Sequence, residues 1–271
     1  MADDLESLNA VLRRYPSAVV AFSGGVDSTL LMAAAQKIYG DQLLAITAAS
    51  STYPAHEQRE AARLAAALGV AHEVIVSEEL DVPGFADNPT DRCYHCKREL
   101  FGKITRLAAA RGFAVVMDGT NADDLGDYRP GRRALREFGV VSPLCEAGLT
   151  KDRVRALSRR LGLPTADKPA LACLASRFPY HEPITREKLE RVGAAEDGVR
   201  ALGFAGFRVR SHDALARLEF APGEMERAWR ERARLDEICR AAGFTYVALD
   251  LKGYRTGAMN ETLPAAGKSR P

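Results

Sequence analysis

Residues 21–35 read AFSGGVDSTLLMAAA. The run before and into them, Ser17 to Phe22 (SAVVAF), is continuously apolar, as a strand of a parallel sheet covered on both faces should be. The residues after them, Thr29 to Ile38, carry helix formers. SGGVDS therefore sits where a first strand ends and the next helix starts, the edge at which open parallel sheets bind ligands. Gly24 and Gly25 allow backbone N–H groups to point inward at an anion. Ser23 and Ser28 add hydroxyl donors, and the helix N-terminus adds a positive dipole. Asp27 is the odd member, because a carboxylate beside phosphates needs a cation between them, most simply Mg²⁺. The plain alternative, a tight glycine turn with a capping serine, explains two glycines but not the whole string.

Working outward, strand and helix signals alternate. Strands are expected at Leu43 to Thr47, His72 to Val76 and Phe113 to Met117. Helices are expected at Asp4 to Tyr15, Ala55 to Leu68 and Lys97 to Arg111, the last two ending at glycines. This alternation predicts an α/β fold built on a parallel sheet. One more helix follows Thr150, then the proline-flanked LPTADKPALACLASRFPY. A boundary near Phe178 to Pro183 divides the chain into 1–178 and a smaller α+β domain, 179–271. The second part is expected to hold a helix (Thr185 to Leu202), two strands (Phe207 to Ser211, Leu215 to Phe220), a long helix (Glu224 to Ala242) and a strand (Tyr246 to Leu251). The tail after Leu263 is expected to be mobile.

The 271 residues are 46% hydrophobic and 27% charged, the balance of a globular chain with a real core. A formal net charge of +2 gives no electrostatic footprint for nucleic acid. The start, MADDLESLNAVLRRYPS, is acidic and amphipathic rather than signal-like, and no apolar run is long enough to span a bilayer. Five cysteines, an odd number, point to reduced thiols, a cluster or a metal rather than a disulfide scaffold. These features predict a cytoplasmic protein.

The loop is not of the Walker type. The only GK[ST] is Gly267-Lys268-Ser269, where the required earlier glycine is Thr262 and no strand precedes it; no G-x-G-x-x-G follows a strand either. SGG-x-DS resembles instead the PP-loop of the ATP pyrophosphatases. The stretches DRCYHCKRELF (91–101), DGTNADDLGDYRPG (118–131), SPLCEAGLTKDRVRAL (142–157), ACLASRFPY (172–180), RVRSHDALARLEF (208–220) and LDLKGYRTGAMNE (249–261) follow in order. Together they resemble the LarE family of sulfur transferases, over Val20 to Glu261.

The resemblance implies that ATP, with Mg²⁺ neutralising the leaving pyrophosphate, adenylates a carboxylate of a pyridinium biscarboxylate mononucleotide. Sulfur then replaces AMP, for the nickel-pincer cofactor of lactate racemase. In the sacrificial version a cysteine attacks the acyl-adenylate and ends as dehydroalanine. Cys173 has the family string around it, with Ser176 and Arg177 beside it; its bland reading is a small buried hydrophobe. Cys93 and Cys96 form a C-x-x-C that single-cysteine members lack. With Cys173 they resemble the branch that carries a [4Fe–4S] cluster. Cys145 is the rival third ligand, and a reduced pair opening a helix is the bland alternative. Tyr180-His181-Glu182 departs from the family pattern, in which a glycine usually follows the tyrosine, and that puts the local loop shape in question.

Arg208 and Arg210 alternate with Val209 on an expected strand, so both point to one face, unfavourably unless an anion lies between them. The alternative is a solvated face. The resemblance adds Arg255 as a third ligand for the substrate phosphate, with Glu196 placed to orient the arginines. Arg177 is placed to hold a carboxylate or the adenylate phosphate. Gly119, after Asp118, lies on a turn at the ligand-binding edge, and Ala48 and Ser50 lie where adenine contacts usually fall. Asp123, Asp124 and Asp127 are candidates to bring Mg²⁺ or polarise a nucleophile, or are simply turn-forming residues. Family members imply a homo-oligomer. Two rivals remain: a tRNA-thiolating PP-loop enzyme, which would need an RNA-binding surface, and a nucleotide sensor without turnover, which would not need Cys173 or Arg255.

Overall fold

The computed structural model describes residues 2–125, 130–169, 172–255, 258 and 261. These form two compact units, one of residues 2–82 and 91–169, the other of 83–90 and the described residues from Ala172 on.

In the first unit, strands β1 (Ala18–Ala21), β2 (Leu43–Ala49), β3 (Ala71–Val76) and β4 (Val115–Met117) form a parallel sheet in the order β3-β2-β1-β4. β1 is central, with Val20 opposite Ala45 on one side and Met117 on the other. Successive side chains of β1 enter different cores, which is why its sequence is apolar without alternation. Val20 packs with Leu30 and Leu31 of α2 (Val26–Tyr39), Leu8 of α1 (Ala2–Leu12) and Leu157 of α7 (Lys151–Arg160). Val19 packs on the opposite face with Ile46 and with Phe101 and Ile104 of α4 (Arg92–Ala110). Both valines are fully buried, each worth roughly 1.5–3 kcal/mol relative to exposure. Helices α3 (Ala55–Ala67), α5 (Gly131–Glu137) and α6 (Pro143–Glu146) complete the unit.

In the second unit β5 (Phe207–His212) and β6 (Leu215–Phe220) pair antiparallel and β7 (Tyr246–Leu249) joins β6 in parallel, with α8 (Arg186–Ala201), α9 (Met225–Arg230) and α10 (Arg232–Ala241) beside them. Gly198 lets α8 and α10 approach, since a Cβ there would lie 2.5 Å from Ile238 Cγ2. Residues 83–90 belong here because Phe85 and Asn88 are buried. The Asn88 side chain donates to Pro179 O at 2.6 Å, and Asn88 O accepts from His181 N at 2.9 Å.

Several sequence expectations need correction. α4 begins at Arg92, five residues before the expected Lys97, so Cys93 and Cys96 lie inside it. The long helix expected over Glu224 to Ala242 is two, α9 and α10, broken at Glu231 (φ −86°, ψ 8°). β7 ends at Leu249 rather than Leu251. The helices α5 and α6 were not foreseen: each is short, below the length at which helical periodicity is readable. The tail after Leu263 lies outside the described residues.

Candidate functional site

The loop between β1 and α2 is closed by its own serines. Ser23 Oγ and Ser28 Oγ lie 3.2 Å apart, Gly25 N–H donates to Ser23 Oγ (3.4 Å), and Ser28 Oγ donates to Gly25 O (3.2 Å). Gly24 has φ +66°, the left-handed conformation that favours glycine, and a Cβ there would press on α3, 3.3 Å from the Ala61 Cα and Cβ. Gly25 caps α2: its carbonyl accepts from Thr29 N at 3.0 Å, and the N–H groups of Val26, Asp27 and Ser28 precede the first i−4 carbonyl of the helix. That is a ready anion cradle. Tyr53 OH donates to Ser23 O; burial pushes its phenol well up, with the charges of Glu57 and Glu60 adding to it, so it stays a donor.

Gly119 lies against this loop: a Cβ there would be 3.0 Å from Ser28 N and 3.2 Å from Ser28 Cα. The missing side chain lets the turn after β4 touch the α2 backbone. Asp118 anchors that turn, accepting from Ser142 Oγ at 2.6 Å and Thr120 Oγ1 at 2.5 Å, with Lys97 Nζ 3.7 Å away. Ala48 is near the end of β2, opposite Ile75, one residue beyond Thr47, whose hydroxyl donates to Phe22 O at 2.7 Å. Ser50 Oγ lies 3.0 Å from Thr52 Oγ1.

Two lysines missed by the sequence reading meet the loop. Lys151 Nζ donates to Asp27 Oδ2, and Asn121 Nδ2 donates to Asp27 Oδ1 at 3.1 Å. Lys151 N–H donates in turn to Asp123 Oδ2 at 2.8 Å. A signal for Lys151 existed, because lysine at the first position of a helix opposes the dipole and calls for a reason. Lys168 Nζ donates to Gly24 O (3.2 Å) and pairs with Glu57 (2.8 Å) and Glu60 (2.9 Å). Asp124 Oδ2 accepts from Asn121 N, a turn-forming role, and Asp127 lies outside the described residues. Asp27 is a hard oxygen donor beside a phosphate cradle, which fits Mg²⁺ bound through one carboxylate and nucleotide phosphates.

Cys93 and Cys96 lie one turn apart on α4; Cys96 Sγ donates to Glu79 Oε1 at 3.5 Å. Burial pushes the Glu79 carboxyl up, opposed by hydrogen bonds from Ser50, Thr52 and Cys96. Cys145 is on α6, its thiol pushed up by burial. Among the described residues no three His, Cys, Asp or Glu side chains gather at metal-binding spacing. The pair is therefore not by itself a ligand set for a [4Fe–4S] cluster.

In the second unit Cys173 opens a short 3₁₀ turn, Leu174–Arg177. The turn is held through the Cys173 carbonyl, which accepts from Ser176 N (3.0 Å), Ser176 Oγ (2.8 Å) and Arg177 Nη1 (3.4 Å). Arg177 is buried and forks onto Glu196 of α8, Nε to Oε1 at 2.7 Å and Nη2 to Oε2 at 2.9 Å, while Nη1 meets Ser176 Oγ at 2.7 Å. Its donors are engaged within the protein, so in this state Arg177 builds the cysteine turn and gives its fork to the Glu196 carboxylate. Glu196 also accepts from Val209 N at 3.1 Å, tying the turn to β5.

Arg208 and Arg210 do share a face, but not a solvated one. Arg210 is 6% exposed, donating to Ser176 O (2.7 Å) and Glu219 (2.9 Å). Glu219, itself buried, also pairs with Arg217 at 3.2 Å. The anion between like charges is thus partly the protein's own. Arg208 lies over the Tyr254 ring at 4.8 Å, and burial, then the charge of Arg177, pulls its guanidinium down. Arg255 pairs with Glu261 at 3.1 Å and donates to Gly253 O. Arg177, Arg208, Arg210 and Arg217 thus lie among the carboxylates of Glu196, Glu219 and Asp250.

A family model described as asparagine synthase matches residues 6–240. The uncharacterized protein slr1717 of Synechocystis is 44% identical over 96% of this chain and 97% of its own. The pyridinium-3,5-bisthiocarboxylic acid mononucleotide synthase of Lactiplantibacillus plantarum is 37% identical over 98% of this chain and 97% of its own. The glutamine-hydrolyzing GMP synthase of Aeropyrum pernix is 28% identical over 70% of this chain and 41% of its own. A likeness that runs end to end, joined to a PP-loop where the fold requires one, places the sequence: the chain belongs to the LarE family of ATP-dependent sulfur-transferring enzymes, in the PP-loop superfamily.

Proposed function

We propose that the protein adenylates a carboxylate of pyridinium-3,5-biscarboxylate mononucleotide and converts it to the thiocarboxylate used for the nickel-pincer cofactor of lactate racemase. The carboxylate oxygen attacks the α-phosphorus of ATP and pyrophosphate leaves. Backbone N–H groups of the SGGVDS loop, with Ser23 and Ser28, receive the departing charge. Mg²⁺, bound through Asp27, would supply charge neutralisation at the phosphates. Ala48 and Gly119 border the nucleotide. The Cys173 thiolate then attacks the acyl carbon and AMP leaves, forming a thioester. Loss of the Cys173 Cα proton breaks its Cβ–Sγ bond, leaving the thiocarboxylate and dehydroalanine. Ser176 and Arg177 hold the cysteine turn; Arg208, Arg210 and Arg255, oriented by Glu196 and its neighbours, take the substrate phosphate. In this reading the first unit carries the ATP loop and the second the Cys173 turn and the phosphate grip, so the expected boundary at 178/179 moves to 171/172; the protein is a cytoplasmic homo-oligomer with no nucleic-acid partner.

The observation that carries the reading is the Cys173 turn, built through main-chain carbonyl contacts so that the thiol is not consumed by the fold. Intact mass of anaerobically prepared protein, before and after turnover with ATP and the mononucleotide, tests it. Loss of one H₂S mapped to Cys173 is expected, and Cys173→Ala should release pyrophosphate without thiolated product. An unchanged mass with thiolated product would replace this sulfur source by a [4Fe–4S] cluster on Cys93, Cys96 and Cys173. Absence of pyrophosphate release would end the enzymatic reading of this substrate.

A further inference from the structure

Asp27 is the one acid of the SGGVDS loop, and its two carboxylate oxygens are taken separately, Oδ1 by Asn121 and Oδ2 by Lys151. The ammonium comes from the first residue of α7, and that residue's N–H is fixed by Asp123. A lysine there works against the helix dipole, and α2 presents a second positive helix end at the same place. Asp27 and Lys151 are each part-exposed, 21% and 31% for their side chains, so solvent ions reach the pair.

We propose that Lys151 is a stand-in cation for the PP-loop acid. It occupies Asp27 while the nucleotide is absent and passes to the phosphates when ATP arrives with its divalent ion. The proposal rests on ATP being the nucleotide of this loop. Two couplings follow from charge alone. A divalent ion on Asp27 without nucleotide must displace Lys151 and leaves its ammonium facing two positive helix ends. A polyphosphate without the ion meets the Asp27 carboxylate. Each ligand relieves the penalty on the other, so their binding is positively cooperative, and by linkage reciprocally so. Asn121 stays on Oδ1 throughout and keeps the carboxylate aimed.

Mn²⁺ titrations of the full-length protein, followed by electron paramagnetic resonance, test this with and without ATP. In the unsubstituted protein, ATP is expected to tighten Mn²⁺ on the order of tenfold or more. In Lys151→Met, Mn²⁺ should bind the nucleotide-free protein on the order of tenfold more tightly, with the tightening by ATP reduced by the same factor because the phosphates still ligate the ion. Adding Asp27→Asn to Lys151→Met should abolish the gain, which locates it at the loop. Lys151→Gln, which keeps a donor to Asp27 but no charge, should behave as Lys151→Met and serves if the apolar variant is unstable. Nucleotide-free Mn²⁺ affinity that is the same in all three proteins would overturn the proposal. Failure of the sulfur-transfer reading would show instead as absent pyrophosphate release, a readout the nucleotide-free titration does not share.

Discussion

His181 holds φ +68°, in the left-handed region that favours glycine, and its N–H is bound to Asn88 O. The backbone here suits glycine, and the histidine keeps the loop shape at a cost. A left-handed L-residue costs about 1–2 kcal/mol, partly offset because glycine loses more freedom on folding. His181→Gly is therefore expected to stabilise the protein by roughly 0.5–1 kcal/mol, read as a higher urea midpoint at unchanged slope; a loss of stability would show that the imidazole has a role of its own. Gly24 is the opposite case: its φ favours glycine and a side chain would also press on Ala61.

At the scale of elements, the Arg177–Glu196 fork joins the cysteine turn to α8, and Val209 N joins both to β5. Burial alone would raise the Glu196 carboxyl, but the charge and hydrogen bonds of Arg177 outweigh it and hold the group below its ordinary 4.5. A depressed carboxylate contributes stability above its unfolded pKa, and that contribution is lost as pH falls through the folded value. Arg177→Met strands a buried charge and is expected to cost about 3–5 kcal/mol at about pH 7. The gap to the unsubstituted protein should narrow toward about pH 4, where a protonated Glu196 needs no partner. Urea unfolding at the two pH values checks this, and a gap that stays constant would mean the pair is not the cause.

At the scale of the molecule, the second unit is discontinuous in sequence. Residues 83–90 supply buried Phe85 and Asn88, and Ile184 N–H donates to Ala86 O at 2.8 Å. A fragment of residues 179–271 lacks these groups and leaves buried apolar and polar surface without cover. Such a fragment is expected to show poorly dispersed amide resonances, and adding a peptide of residues 83–90 in trans should partly restore dispersion. A well-folded fragment would show that the inserted segment is decoration.

The α/β class, the parallel sheet and the PP-loop were legible from residues 17–38, because a strand buried on both faces and a glycine turn before a helix leave marks within a few positions. The cysteine turn and the arginine strand were legible as strings. Tertiary structure decided which charges meet. Lys151 reaches Asp27 across 124 positions, Arg177 takes Glu196 across 19, and Glu219 sits between Arg210 and Arg217. Local patterning records periodicity and backbone conformation, which depend on near neighbours. Charge pairing depends on distance in space, and only the folded chain sets that.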